Sequence, residues 1–255
     1  MQKIVLIILS IIFMGVSFAQ SNTKIIAHRG AWKEFNLPEN SIASLQKAIE
    51  LNCYGSEFDV RRTLDGVLVV CHDPTYYGDT IELKTYQQLN ERKLSNGEDL
   101  PTLLDYFKKG TEGKKDTYLI CEIKQGITNP VLDKLATEAT MQMVKDLGIA
   151  HKVIFISFRY QILEWIKAID QNAIVLYLEN DKTLNNISTA KFNGINYHFD
   201  NYLKNNKISV EANEKGLLIG SWTVNDPTVL TNLIAQKVEF ITTNYPNQFL
   251  GLIGR

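Results

Sequence analysis

Gly55-Ser56-Glu57-Phe58-Asp59-Val60 and Tyr118-Leu119-Ile120-Cys121-Glu122-Ile123-Lys124 are the two stretches that decide the reading of this chain. Side chains alternate faces along an extended strand, so Glu57 and Asp59 must point the same way, as must Glu122 and Lys124. Two further apolar runs end in the same manner. Ile25-Ile26-Ala27 leads into His28-Arg29-Gly30, and Val67-Leu68-Val69-Val70-Cys71 leads into His72-Asp73. Three carboxylates, two histidines, an arginine and a lysine at strand ends are more polar chemistry than a core hides unpaired. The pattern is that of an active site built around a cation and a phosphate.

Working outward, strand-like runs at 24–28, 55–61, 118–123, 153–157, 173–178, 194–198, 217–223 and 238–243 alternate with helical patterns. The helices are expected near 42–49, where Pro38-Glu39-Asn40-Ser41 leads in, and at 131–147, 160–169, 184–190, 205–215 and 227–236. Such alternation predicts a parallel sheet covered by helices. The run 67–71 follows 55–61 too closely for a parallel crossover, and Asp65-Gly66 between them is a hairpin signal. It is read as an antiparallel return strand that sets Glu57 roughly opposite His72. Eight parallel strands remain, so the expected fold is α/β, a TIM (β/α)8 barrel with a β-hairpin and a small insert, Pro74 to Leu100, at its mouth. An open doubly wound sheet is the competing architecture, and no Gly-x-Gly-x-x-Gly turn supports it.

The chain has 255 residues, 45% hydrophobic and 22% charged, enough for one large core. A net charge of −1 provides no field for nucleic acid or an anionic membrane. Residues 1–19 read as a signal peptide: Lys3, an apolar Ile4–Val16 and a small-x-small Ser17-Phe18-Ala19. The apolar stretch is shorter than the about 20 residues of a spanning helix, so no stable membrane insertion is expected. The expectation is export, periplasmic or secreted, after cleavage near Ala19, leaving 20–255 as a single domain. Cys53, Cys71 and Cys121 are an odd set and cannot all pair within the chain. Alternation turns Cys71 and Cys121 away from the polar face, to pack beneath helices, and the cysteines are expected as buried free thiols.

Glu57, Asp59 and Glu122 together suit one hard divalent cation, Ca²⁺ or Mg²⁺, rather than Zn²⁺. The alternative is that each pairs with a basic neighbour such as Arg61, Arg62 or Lys124. His28 and His72 suit acid–base work near neutral pH, although a lone strand-end histidine is commonly a hydrogen-bonded core residue. Arg29 and Lys124 can hold phosphate oxygens. Glu39 and Asn40 either cap a helix or reach the site. Trp222 either stacks on a substrate or plugs the barrel. His198 could border the mouth, and His151 reads as a loop residue.

In order, His28-Arg29-Gly30, Pro38-Glu39-Asn40-Ser41, Glu57-Phe58-Asp59-Val60, Asp65-Gly66 followed by His72-Asp73, Glu122-Ile123-Lys124 and Trp222-Thr223-Val224-Asn225 resemble the glycerophosphodiester phosphodiesterase family. The resemblance implies a TIM barrel that hydrolyses a small glycerophosphodiester to glycerol 3-phosphate and an alcohol with Ca²⁺ or Mg²⁺. It implies His28 and His72 as the acid–base pair, Glu57, Asp59 and Glu122 as metal ligands, and Arg29 and Lys124 on the phosphate. Two departures bear on the alcohol accepted: the bulky stretch Ala31–Leu37, and Asn244 where the family usually has Asp. Runner-up readings are a lyase-type phospholipase that releases a cyclic phosphate, and a non-catalytic glycerophosphodiester-binding protein.

Overall fold

In the computed structural model, residues 22–113 and 116–254 are described; the apolar leader lies outside them. The strands are β1 (Lys24–Ala27), β2 (Gly55–Arg62), β3 (Leu68–Val70), β4 (Thr75–Tyr76), β5 (Asp79–Thr80), β6 (Tyr118–Ile123), β7 (Val153–Ser157), β8 (Ile174–Tyr177), β9 (Gly194–His198), β10 (Leu218–Trp222) and β11 (Phe240–Thr243). Helices α1 (Ile42–Glu50), α2 (Tyr86–Leu89), α3 (Leu103–Gly110), α4 (Val131–Asp146), α5 (Tyr160–Ile169), α6 (Leu184–Thr189), α7 (Phe199–Lys204), α8 (Lys207–Glu214), α9 (Pro227–Ala235) and α10 (Pro246–Leu252) fall between and after them. Eight strands pair in parallel in the order β1-β2-β6-β7-β8-β9-β10-β11, and β11 returns to β1 with Ile25 beside Ile241. The sheet is a closed TIM barrel, as the sequence leads one to expect, and closure leaves none of the eight with an open edge.

Alternation sorts each strand between two apolar layers. Leu119, Cys121 and Ile123 of β6 face the helices, among Leu45, Phe107 and Val144. Ile120 turns inward with Ile26, Ile154, Leu176 and Phe240 to fill the barrel. That inner layer stops below the carboxyl ends of the strands, and the polar groups begin there.

The return strand β3 pairs antiparallel with β2, Val60 beside Val70 and Arg62 beside Leu68. Its connection is a five-residue turn with Asp65-Gly66 inside it: the Thr63 N–H donates to Val67 O at 2.9 Å and the Gly66 N–H to Thr63 O at 3.0 Å. Turn length sets register, and this one brings the Cys71 N–H onto Asp59 O at 2.9 Å. His72 therefore follows at the level of Phe58, one residue away from the expected pairing with Glu57. Alternation holds through Cys71: Val67, Val69 and Cys71 face the insert, while Leu68 and Val70 face the helices. That thiol is half-buried against the insert rather than beneath a helix, a correction to the sequence reading, whereas Cys53 and Cys121 are buried free thiols as expected.

The insert packs around its own small core of Tyr76, Ile81, Leu89 and Leu100 on Val69. Four helices escaped the sequence reading: α3, α7, α10 and, inside the insert, α2. The first had a legible signal, because Leu103, Tyr106, Phe107 and Gly110 are buried at helical spacing behind the Thr102 cap.

Close approach of two strands makes Gly194 irreplaceable: a Cβ there would lie 2.0 Å from the carbonyl oxygen of Leu218. Gly194→Ala should lower stability on the order of 3 kcal/mol in denaturant unfolding. Gly251→Ala, in open space on α10, should not. Equal midpoints for the two variants would contradict this packing.

Candidate active site

The site forms where β1, β2 and β6 end. His28 continues β1 through its N–H to Thr243 O at 2.9 Å. Its Nδ1 lies 2.7 Å from Asn244 Oδ1 and its Nε2 3.9 Å from Glu57 Oε2. An amide oxygen only accepts, so Nδ1 carries the proton and Nε2 keeps its lone pair. Burial, reinforced by the charge of Arg29, pushes the imidazole down to about 4; His28 is neutral at pH 7.

The next two residues turn the chain sharply. Arg29 (φ 55°) and Gly30 (φ 79°) are left-handed. Any Cβ on Gly30 would sit 2.3 Å from Ser44 Oγ, so the His-Arg-Gly turn requires glycine. This turn aims the Arg29 N–H at Glu57 Oε2 (2.8 Å) and its guanidinium Nη1 at both oxygens of Glu39 (2.9 Å each). The choice left open for Pro-Glu-Asn-Ser resolves by position. Ser41 caps α1, accepting from the Ser44 N–H at 2.9 Å, while Glu39 holds Arg29 and Asn40 donates to Asp59 Oδ2 at 2.8 Å.

Glu57, Asp59 and Glu122 are buried, 2%, 1% and 7% exposed, and bring carboxylate oxygens within 4.8 Å of one another. Lys124 Nζ sits 2.7 Å from Glu122 Oε1 and 3.3 Å from Asp59 Oδ1. Arg29 Nε is 3.7 Å from Asp59. Arg61, named in the sequence as a possible partner for the acids, instead donates to the carbonyl oxygen of His72 at 2.9 and 2.7 Å and so fixes that loop. Burial, then repulsion from Asp59, raises Glu122 to about 7; burial with repulsion from Asp59 and Glu122 raises Glu57. Burial acts on Asp59 too, but Lys124, His72, Asn40 and Arg29 outweigh it and hold that carboxyl low. Three convergent buried carboxylates offer an all-oxygen donor set that fits one hard divalent cation.

His28, Arg29, Glu57, His72, Glu122, Lys124 and Trp222 line one cavity, with Asp59 buried at its base. His72 stands at the rim, half-exposed, with Nδ1 2.7 Å from Asp73 Oδ1. Trp222 is wall rather than plug: its indole N–H donates to Asn196 O at 2.8 Å, and its ring meets Phe158 and His198 edge-on. His198 caps α7, its Nδ1 accepting from the Asp200 N–H, and His151 is an exposed residue before β7. The sequence reading missed Asn196, Thr242 and Phe158 in the wall and did not connect Asn244 to His28. A step of two was the available signal: Asn196 precedes His198, and Thr242 precedes Asn244, on one strand face.

Glu122 has a linkage consequence. Its folded value near 7 exceeds the ordinary 4.5, so its contribution to stability is complete below pH 4.5 and lost as pH rises to about 7. His28 has the opposite sign: held at about 4 against 6.5, it costs stability as pH falls through that interval. The difference between cation and chelator isolates the carboxylates. Ca²⁺ or Mg²⁺ should raise Tm more at about pH 7.5 than at about pH 5, because the cation requires them ionised. Equal gains in thermal unfolding at both pH values would exclude this triad as the cation site.

A model of the glycerophosphoryl diester phosphodiesterase family matches residues 28–248. The chain is similar to a glycerophosphodiester phosphodiesterase structure from Parabacteroides distasonis, with 35% identity and a TM-score of 0.88 over 92% of this chain and 98% of that one. A glycerophosphodiester phosphodiesterase of Caldanaerobacter subterraneus subsp. tengcongensis is 29% identical over 244 residues, 91% of this chain and 98% of the relative. A phosphodiesterase of Oleispira antarctica, solved with the product sn-glycerol-3-phosphate, shares the fold at 20% identity, with a TM-score of 0.79 over 91% of this chain and 97% of that one.

Proposed function

The chain belongs to the glycerophosphoryl diester phosphodiesterase family, and we propose that it hydrolyses glycerophosphodiesters to glycerol 3-phosphate and an alcohol, with His28 and His72 as base and acid. The observation that carries this reading is the meeting in one cavity of both histidines, the cationic Arg29 and Lys124 and the carboxylates Glu57 and Glu122, with Asp59 buried beside them. Glu57, Asp59 and Glu122 would hold one divalent cation, Ca²⁺ or Mg²⁺, which when bound neutralises phosphate charge.

The remaining steps fall to side chains. Arg29 and Lys124 orient the phosphate oxygens and offset the charge that grows on them. His28, neutral with Nε2 free to accept, takes the proton of the attacking hydroxyl, water or the glycerol 2-hydroxyl. His72 gives a proton to the alcohol oxygen as its bond to phosphorus breaks. If the 2-hydroxyl attacks, the product is a cyclic phosphate; water then opens it with the two roles reversed, regenerating both histidines. Trp222 and Phe158 form the apolar wall that excludes water from one side of this exchange.

Purified protein should release glycerol 3-phosphate from glycerophosphocholine with Ca²⁺ or Mg²⁺ and lose that activity in chelator and in Glu122→Ala. His28→Ala and His72→Ala should each cost roughly 10²–10⁴ in rate. Near-normal turnover in either variant removes that histidine from the mechanism. Accumulating cyclic phosphate would favour the lyase-type reading, and binding without turnover the non-catalytic one.

Export is likewise proposed, from the leader sequence alone. Mass measurement of protein recovered outside the cytoplasm should give a chain starting at Gln20; a retained leader would overturn it.

A further inference from the structure

Asn196 on β9 is a polar side chain in the cavity wall that the chemistry above leaves unused. We propose that its amide receives the terminal hydroxyl of the substrate's glycerol and so selects glycerol esters over diesters that lack this group. The inference rests on the reading of this cavity as the phosphodiester site. In the closed ring β9 stands four strands from β2 in either direction, so Asn196 faces the acidic cluster from across the barrel. The alcohol leaves toward His72 at the rim, which leaves the interior to the glycerol. With the phosphate held by Arg29 and Lys124, the glycerol 2-hydroxyl stays beside phosphorus. The terminal hydroxyl extends furthest from it, toward the opposite wall.

The surroundings of the amide are those of a binding group rather than a structural one. Asn196 is 3% exposed, and neighbouring strands and loops contribute Ile156, Phe158, Leu178 and Trp222 to the same lining. Its backbone is committed, the carbonyl accepting from the Trp222 indole N–H at 2.8 Å. Its side-chain oxygen has no hydrogen-bond partner among the described residues. Beside it in the register is Gly220, where a Cβ would lie 2.6 Å from Asn196 Oδ1; the absent side chain leaves the notch that the amide occupies. A buried, unpaired amide costs roughly 5- to 150-fold in the folding equilibrium, a penalty that a leucine of similar shape would not carry. A hydroxyl both donates and accepts, so it pairs with either end of the amide. A ligand without that hydroxyl leaves the amide unpaired in a closed cavity, which is how such a site discriminates.

The deciding comparison sets wild type against Asn196→Leu, each with glycerophosphocholine and with 2-hydroxypropyl phosphocholine, which lacks only the terminal hydroxyl. With divalent cation present, wild-type kcat/KM should favour the glycerol ester roughly 5- to 150-fold, and in Asn196→Leu the ratio should fall toward one. The Tm of the variant should equal or exceed that of the wild type, because an unpaired buried amide is removed. Gly220→Ala, which fills the notch, should lower the same ratio. A wild-type ratio near one overturns this inference and leaves the phosphodiesterase reading standing. A ratio unchanged in Asn196→Leu, or a lowered Tm with equal losses on both esters, overturns Asn196 as its source. Turnover of neither ester by the wild-type chain overturns both the reading and the inference.

Discussion

Three carboxylates buried within 4.8 Å of one another are the feature around which this molecule is arranged. Removing a charge from water costs several kcal/mol, and placing like charges together adds to that cost. The chain meets it with fixed partners. Lys124 reaches Glu122 and Asp59 from the same strand end, Asn40 holds Asp59, and the backbone N–H of Arg29 holds Glu57. Glu57 and Glu122 nevertheless remain raised, by burial first and then by repulsion from the neighbouring carboxylates. A site that still favours added positive charge is one suited to a divalent ion.

The barrel makes such a cluster sustainable. Below it lies a dry layer of isoleucine, leucine and phenylalanine, and the closed ring of strands prevents the acids from moving apart. The left-handed Arg29 and Asn40 are the local cost of turning two polar side chains back over the strand ends. Each is held by several hydrogen bonds, which is how a strained backbone persists.

The β2–β3 hairpin and the insert add what a plain barrel lacks. Arg61, projecting from β2, grips the carbonyl of His72 and so places the rim histidine on a loop fixed by the barrel wall itself. The same loop separates the central cavity from an aromatic groove beyond it. One histidine thereby faces two compartments, one lined by the acidic cluster and one by tyrosines and carboxylates.

The sequence by itself determined the eight parallel strands, the return strand, and the inward face shared by Glu57, Asp59, Glu122 and Lys124, because a period of two and the strand–helix alternation are local properties. It also carried His28 and His72, since both end apolar runs. It did not decide register. A five-residue turn set where His72 lies along β2, and alternation along β3 put Cys71 with Val69 against the insert rather than beneath the helices. Nor did it separate cap from site at Glu39-Asn40-Ser41, because all three can cap a helix and only the approach of β2 to the loop assigns Asn40 to Asp59. The joining of His28 to Asn244, 216 positions apart, required the barrel to close. Only when β11 lay against β1 did the first strand's histidine acquire the partner that sets which of its nitrogens bears the proton.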